Sequence, residues 1–133
     1  MTIAQQIVNL VNKQNRLHKK LTAESVLEHA DQYYYITVGN KLIGCVKVVD
    51  VTWYLCELRH LSVIPEYQHQ RIGKHLVTKA IETGKKHHKY VIQLTVREDN
   101  LSAILLFKKT GFKQTVNFVN RNNHKLMVME RSL

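Results

Sequence analysis

The chain has 133 residues, 44% hydrophobic and 23% charged, which fits one soluble globular domain spanning residues 1–133 around a single core. One proline, five glycines and no apolar run near the ~20 residues of a membrane helix exclude collagenous, linker-rich and helix-spanning proteins. Twenty Lys and Arg against ten Asp and Glu leave a net charge of +10, which points to nucleic acid, a phosphorylated cofactor or an acidic substrate, or to a solvated basic surface.

Residues 3–21 read as an amphipathic helix, with Ile3, Ile7, Leu10, Val11, Leu17 and Leu21 at helical spacing. Thr22 can cap a second, short helix through about His29, with Glu24 in its first turn. Tyr33–Val38 is aromatic and β-branched, Gly39-Asn40 is a turn signal, and Lys41–Val51 completes a hairpin. Trp53–Ile64 reads as a third strand ending before Pro65. Arg71–His88 is helical, with Ile72, Leu76, Val77, Ala80 and Ile81 on one face. Tyr90–Val96 is a strand, and Asp99 or Asn100 caps a helix through Thr110 that Gly111 ends. Phe112–Val119 and Lys125–Glu130 are the last strands, joined by the turn-like Asn120-Arg121-Asn122-Asn123. The order α-α-β-β-β-α-β-α-β-β predicts an α+β domain, a mixed, mostly antiparallel sheet flanked by helices.

Met1–Gln6 lacks the basic start and apolar run of a signal peptide. Cys45 and Cys56 fall in apolar strand-like segments and read as buried free thiols. Together these features lead to the expectation of a reducing cytoplasm. Eight histidines contain no H-x-x-x-H spacing or Cys/His cluster, so no metal is expected. Trp53 and the Tyr33–Tyr35 run read as strand core rather than as an acceptor pocket.

The chemistry concentrates at the third strand and the helix after it. Between Arg71 and Lys89 lie six Lys or Arg and one acid, Glu82. A helix start leaves backbone N–H groups without intrahelical partners, and with the helix dipole these make an anion site. Gly73 lets a phosphate approach the backbone, Arg71 and Lys74 add charge, and a diphosphate fits. Lys85–Lys89 reads as a solvated face.

The run Val63-Ile64-Pro65-Glu66-Tyr67-Gln68-His69-Gln70-Arg71-Ile72-Gly73 is followed downstream by Asn100-Leu101-Ser102-Ala103-Ile104-Leu105-Leu106-Phe107-Lys108-Lys109-Thr110-Gly111-Phe112. The first resembles the Q/R-x-x-G-x-G/A cofactor signature of the GNAT family, the acetyl-CoA-dependent N-acetyltransferases. The second resembles that family's N-x-x-A-x-x-x-Y-x-x-x-G-F. The element order matches over nearly the whole chain, except that the family's usual first strand is missing.

The resemblance implies acetyl-CoA as acyl donor and a small-molecule or peptide amine as acceptor. Leu61 and Val63 would offer backbone groups to the thioester and pantetheine arm. Gln68, His69, Gln70, Arg71, Ile72, Gly73 and Lys74 would surround the pyrophosphate. Asn100 would contact the pantetheine side, and Phe107 would lie near the sulfur. Glu57 is the candidate base, since histone acetyltransferase-like members keep a catalytic glutamate at this offset, and His60 is the runner-up. Period-two alternation puts Glu57, Arg59, Leu61 and Val63 on one face unless a bulge intervenes. Backbone N–H near Val63 could polarise the thioester carbonyl.

Two departures stand out. Arg71 replaces the signature's first glycine, and Phe107 replaces the tyrosine that often protonates the leaving thiolate. Ser102 or water is then the conceivable proton donor. An acyl-CoA-binding module with weak catalysis and a transferase acting on nucleic-acid-borne amines are the alternatives, and a homodimer stays open.

Overall fold

The computed structural model describes all 133 residues. The elements are α1 (Ile3–Gln14), α2 (Ala23–Glu28), β1 (Tyr33–Val38), β2 (Lys41–Asp50), β3 (Leu55–Val63), α3 (Ile72–Lys86), β4 (Val91–Arg97), α4 (Leu101–Lys109), β5 (Lys113–Val119) and β6 (Lys125–Ser132). Short 3-10 turns occupy Ala30–Gln32 and Pro65–Tyr67. This is the expected α+β order. The six strands form one sheet in the order β1-β2-β3-β4-β6-β5. Pairs β1–β2, β4–β6 and β5–β6 are antiparallel, and β3–β4 is parallel. No helix is long and apolar enough to cross a membrane. The chain divides into two compact units, Met1–Lys47 with His60–Lys79, and Val48–Arg59 with Ala80–Leu133.

In the first unit, Thr2 and Gln5 close a capping box at the start of α1. Ala4, Ile7, Leu10 and Val11 form its buried stripe and pack with Val26, Tyr33, Leu42 and Cys45. The helix stops at Gln14, seven residues short of the expected Leu21. Asparagine side chains decide this. Asn15 is extended, and its amide donates to the Val11 carbonyl and to Ser62 Oγ. The Asn12 amide pairs with both the N–H and the carbonyl of Leu21, at 2.9 Å each. The chain therefore doubles back along α1, and Leu17 and Leu21 reach the same core without helical backbone.

Gly39 turns the β1–β2 hairpin at φ +60. Pairing then skips Ile43, because Ile36 faces Gly44 while Thr37 faces Leu42. This bulge lets Leu42 and Cys45, an odd number of residues apart, both reach the α1 core. At Gly44 an added Cβ would lie 3.0 Å from Leu76 Cδ1, 3.2 Å from Ile72 Cγ2 and 3.2 Å from the Ser62 carbonyl. The missing side chain is thus what lets the start of α3 settle on β2.

In the second unit, Ile92, Leu94 and Val96 of β4 alternate into the core beside Met127 and Met129 of β6. Ile104 and Phe107 of α4 are buried as well. Asn100 caps α4 by accepting from the Ala103 N–H, and Gly111 ends it at φ +96, both as expected. The opposite face carries Gln93, Thr95 and Arg97 of β4, Leu126, Val128 and Glu130 of β6, and Val116 and Phe118 of β5, all half-buried or exposed. Trp53 departs from the expectation of core. It precedes β3, in the loop after β2, and is 75% exposed, because β3 begins only at Leu55.

Candidate active site

β3 ends at Val63, the Pro65–Tyr67 turn follows, and Gln68–Arg71 leads into α3. His69 (φ 64) and Arg71 (φ 67) are left-handed on either side of Gln70. Each such residue costs about 1–2 kcal/mol, and backbone of alternating handedness is the kind that forms anion-binding nests. Gln68 Nε2 braces the loop by donating to the Val63 carbonyl (3.0 Å), and Gln70 Nε2 donates to the Glu66 carbonyl (3.1 Å). The first intrahelical bond runs from the His75 N–H to the Arg71 carbonyl at 3.0 Å. The N–H groups of Ile72, Gly73 and Lys74 thus belong to the open first turn. No acid lies in that turn, and Arg71 and Lys74 are exposed. The structure therefore gathers Gln68 through Lys74 into one positive, donor-rich loop. Arg71 is left-handed where the family signature has glycine, so its side chain is tolerated at an energetic cost.

The backbone of Val63 is already engaged. Its N–H donates to Gln14 Oε1 (3.1 Å), and its carbonyl accepts from Gln14 Nε2 (2.5 Å) as well as from Gln68. The Gln14 amide thus pairs with Val63 as a neighbouring strand would. Sequence reasoning missed Gln14, because it lies 49 residues away and belongs to no motif. Leu61 is half-buried.

Within β3, His60 adopts φ 58, which is the irregularity that alternation left open. Its carbonyl accepts from Ser62 Oγ (3.1 Å) and the Cys45 thiol (3.8 Å). The His60 ring stacks on Tyr33 at 6.1 Å, with Nδ1 3.2 Å from the Tyr33 hydroxyl. The runner-up base is therefore a packed side chain of the first unit.

Glu57 lies in the second unit and holds Arg59 in a fork, Nε to Oε1 at 2.9 Å and Nη2 to Oε2 at 3.4 Å. Its register partner on β4 is Gln93, whose partner on β6 is Glu130. Gln93 Nε2 donates to Glu130 Oε1 at 2.7 Å. Glu57, Gln93 and Glu130 thus form a polar row across three strands on the face opposite Cys56, Ile92 and Met129. Gln93 and Glu130 were invisible beforehand, because only the register joins them to Glu57.

Asn100 Oδ1 is committed to the cap of α4. Phe107 is buried edge-on against Phe112, centroids 5.7 Å apart. Ser102 is exposed on the first turn of α4. No group of three or more His, Cys, Asp or Glu side chains is placed to hold a metal ion. Cys45 and Cys56 are free and buried, as the sequence suggested. Burial pushes the Cys45 thiol up to about 12, and burial together with the nearby Asp50 carboxylate pushes Cys56 up to about 11.

A mixed α+β sheet whose third strand leads through left-handed His69 and Arg71 into the acid-free first turn of α3 frames this site. Residues 5–112 match the acetyltransferase (GNAT) family model, and the chain belongs to this family. It is 30% identical over 91 residues to an uncharacterized N-acetyltransferase of Methanocaldococcus jannaschii, covering 63% of this chain and 40% of that protein. It is 28% identical over 102 residues to an uncharacterized N-acetyltransferase of Chlorobaculum tepidum, covering 71% of this chain and 58% of that one. The chain thus spans about half the length of these relatives. Among solved structures, that of the NatC complex bound to Gag peptide and CoA superposes with a TM-score of 0.83 at 20% identity, over 98% of this chain and 90% of that one.

Proposed function

We propose that this protein is an N-acetyltransferase that moves an acetyl group from acetyl-CoA directly to a primary amine. The observation that carries this reading is the loop Gln68–Lys74, where left-handed His69 and Arg71 precede an acid-free first helical turn. Its donors and charges suit a diphosphate, and the CoA in the superposable NatC complex is a ligand of that kind. In this reading Gln68, His69, Gln70, Arg71, Ile72, Gly73 and Lys74 hold the pyrophosphate, while Leu61 and Asn100 serve the pantetheine arm, joined by Val63 once the arm displaces the Gln14 amide from its backbone. Phe107 would lie near the sulfur.

The thioester supplies the activated acetyl group. Glu57 takes a proton from the acceptor ammonium, directly or through water, and frees the nitrogen lone pair. An incoming ammonium competes with Arg59 for the two Glu57 oxygens, and Glu130 supplies a further carboxylate along the same row. The nitrogen attacks the carbonyl carbon, the C–S bond breaks, and the second proton of the nitrogen passes through water or the Ser102 hydroxyl to the departing thiolate. The Phe107 ring has no proton to give. His60 is the reserve base if Glu57 only holds Arg59.

The test is acetyl-CoA-dependent release of free thiol, scanned over amine metabolites and peptides with free N-termini. Turnover with an amine supports the proposal. Tight acetyl-CoA binding without turnover on any acceptor would favour the second reading, an acyl-CoA-binding module, which the buried Phe107 supports.

A further inference from the structure

The loop Val51–Tyr54, which follows β2, packs against the segment His87–Tyr90 after α3. Lys89 Nζ donates to the Thr52 carbonyl at 2.6 Å, and the Tyr90 N–H donates to the Tyr54 carbonyl at 2.8 Å. These contacts bring three aromatic rings together at the surface. Trp53 meets Tyr54 edge-on at 5.2 Å and Tyr90 at 5.8 Å, with interplanar angles of 70° and 88°. Trp53 is 75% exposed, Tyr90 63% and Tyr54 41%. Rings of this size fixed at the surface offer flat apolar area that the fold leaves uncovered.

The charge around them is mainly positive. The Asp50 carboxylate is taken by His87 Nδ1 at 3.1 Å and lies 4.0 Å from Lys89 Nζ. Lys85, Lys86 and His88 are exposed within the five residues before Tyr90, and Glu82 is the single acid on α3. A second copy of the chain is a poor occupant, because a symmetric contact would set two Lys85–Lys89 runs against each other. Aromatic faces beside uncompensated lysines suit a chain that alternates flat bases with phosphates.

We propose that Trp53, Tyr54 and Tyr90, with Lys85 and Lys86, form a binding site for single-stranded nucleic acid, whose bases stack on Trp53 and Tyr90 and whose phosphates meet the lysines. This site is independent of the proposed acetyl transfer. It gives the net charge of +10 a structural focus at the segment that the sequence alone marked as solvated.

Trp53 is the only tryptophan of the chain and reports directly on stacking. The full chain is titrated with a 12-nucleotide oligouridylate and, separately, an oligothymidylate, while Trp53 fluorescence is followed. Saturable quenching by either strand is expected, and the stronger one identifies RNA or DNA. With two lysine–phosphate contacts, affinity should fall about sevenfold between 50 and 200 mM salt. By anisotropy of a labelled strand, Trp53→Ala should weaken binding at least about fivefold and Tyr90→Ala likewise. Lys85→Gln with Lys86→Gln should flatten the salt dependence. Circular dichroism confirms that each variant is folded. Absence of quenching at 50 mM salt overturns the proposal. So does binding that Trp53→Ala leaves unchanged, which is charge attraction alone, or a dimer in sedimentation that Trp53→Ala dissociates.

Discussion

Replacing Gly44 with alanine tests how α3 is seated. The new methyl would lie 3.0 Å from Leu76 Cδ1 and 3.2 Å from both Ile72 Cγ2 and the Ser62 carbonyl oxygen. The Ser62 carbonyl belongs to β3 and cannot yield, so the methyl pushes on Leu76 and Ile72 and passes strain to the start of α3 through them. Overpacking of this kind costs about 1–3 kcal/mol. Alanine returns about 0.5–1 kcal/mol, because glycine is the poorer strand residue. Mid-range values leave a net loss of roughly 1 kcal/mol. For 133 residues each kcal/mol lowers Tm by about 3–4 °C, so the drop should be about 4 °C. Ile72 opens α3, so the first-turn N–H groups move with it. CoA should then bind about threefold more weakly, equal to ~0.65 kcal/mol. Gly44→Val should exceed both effects. Thermal unfolding and calorimetric titration with CoA measure them. If Gly44→Ala melts and binds CoA as the parent does, the close approach of β2 to α3 does not set the loop's position.

The remaining predictions concern the candidate site and the thiols. Glu57→Gln should lower kcat about 10²- to 10⁴-fold while CoA affinity stays within about twofold, and retention of most activity would move the base to His60. Arg71→Gly should remove a left-handed penalty and raise stability by about 1 kcal/mol after the added chain entropy of glycine. The same change should weaken CoA binding and flatten its salt dependence, read from melting curves and titrations at two salt concentrations. The buried thiols should make stability fall at high pH. Their folded values of about 12 and 11 lie above the ordinary 9.0. Their contribution is therefore complete below pH 9 and is lost as pH rises through 11 and 12. Urea midpoints measured between pH 8 and pH 11 should be flat up to pH 9 and decline beyond it.

The features legible in advance were those written in neighbouring residues. Tyr33–Val38, Gly39, Thr22, Asn100 and Gly111 each carry a local signal and form the expected strand, turn or cap, although of the Tyr33–Tyr35 run only Tyr33 enters the core. The end of α1 was not legible, because Asn12 and Asn15 take partners at Leu21 and Ser62 that only folding brings near. The loop Gln68–Lys74 could be located from its motif. Its left-handed Arg71 could not, since glycine is the usual marker of such backbone. Trp53 misled because aromatic residues beside a strand normally enter the core. Gln14 at Val63, and Gln93 with Glu130 beside Glu57, follow from long-range contact and strand register rather than from spacing.

The sheet also grades from one strand to another. β2 buries seven successive residues, Leu42–Val48, whereas every residue of β5 is exposed, including Val116, Phe118 and Val119. β5 lies at the sheet margin, and its pairing with β6 skips Thr115, directly after Lys113 and Gln114. A bulge and a lysine at a free edge discourage another strand from docking there. Local opening should therefore begin at β5, at a small fraction of the free energy that releases β2. This guarded margin is thus also the part of the sheet that can fray and re-form without disturbing the core.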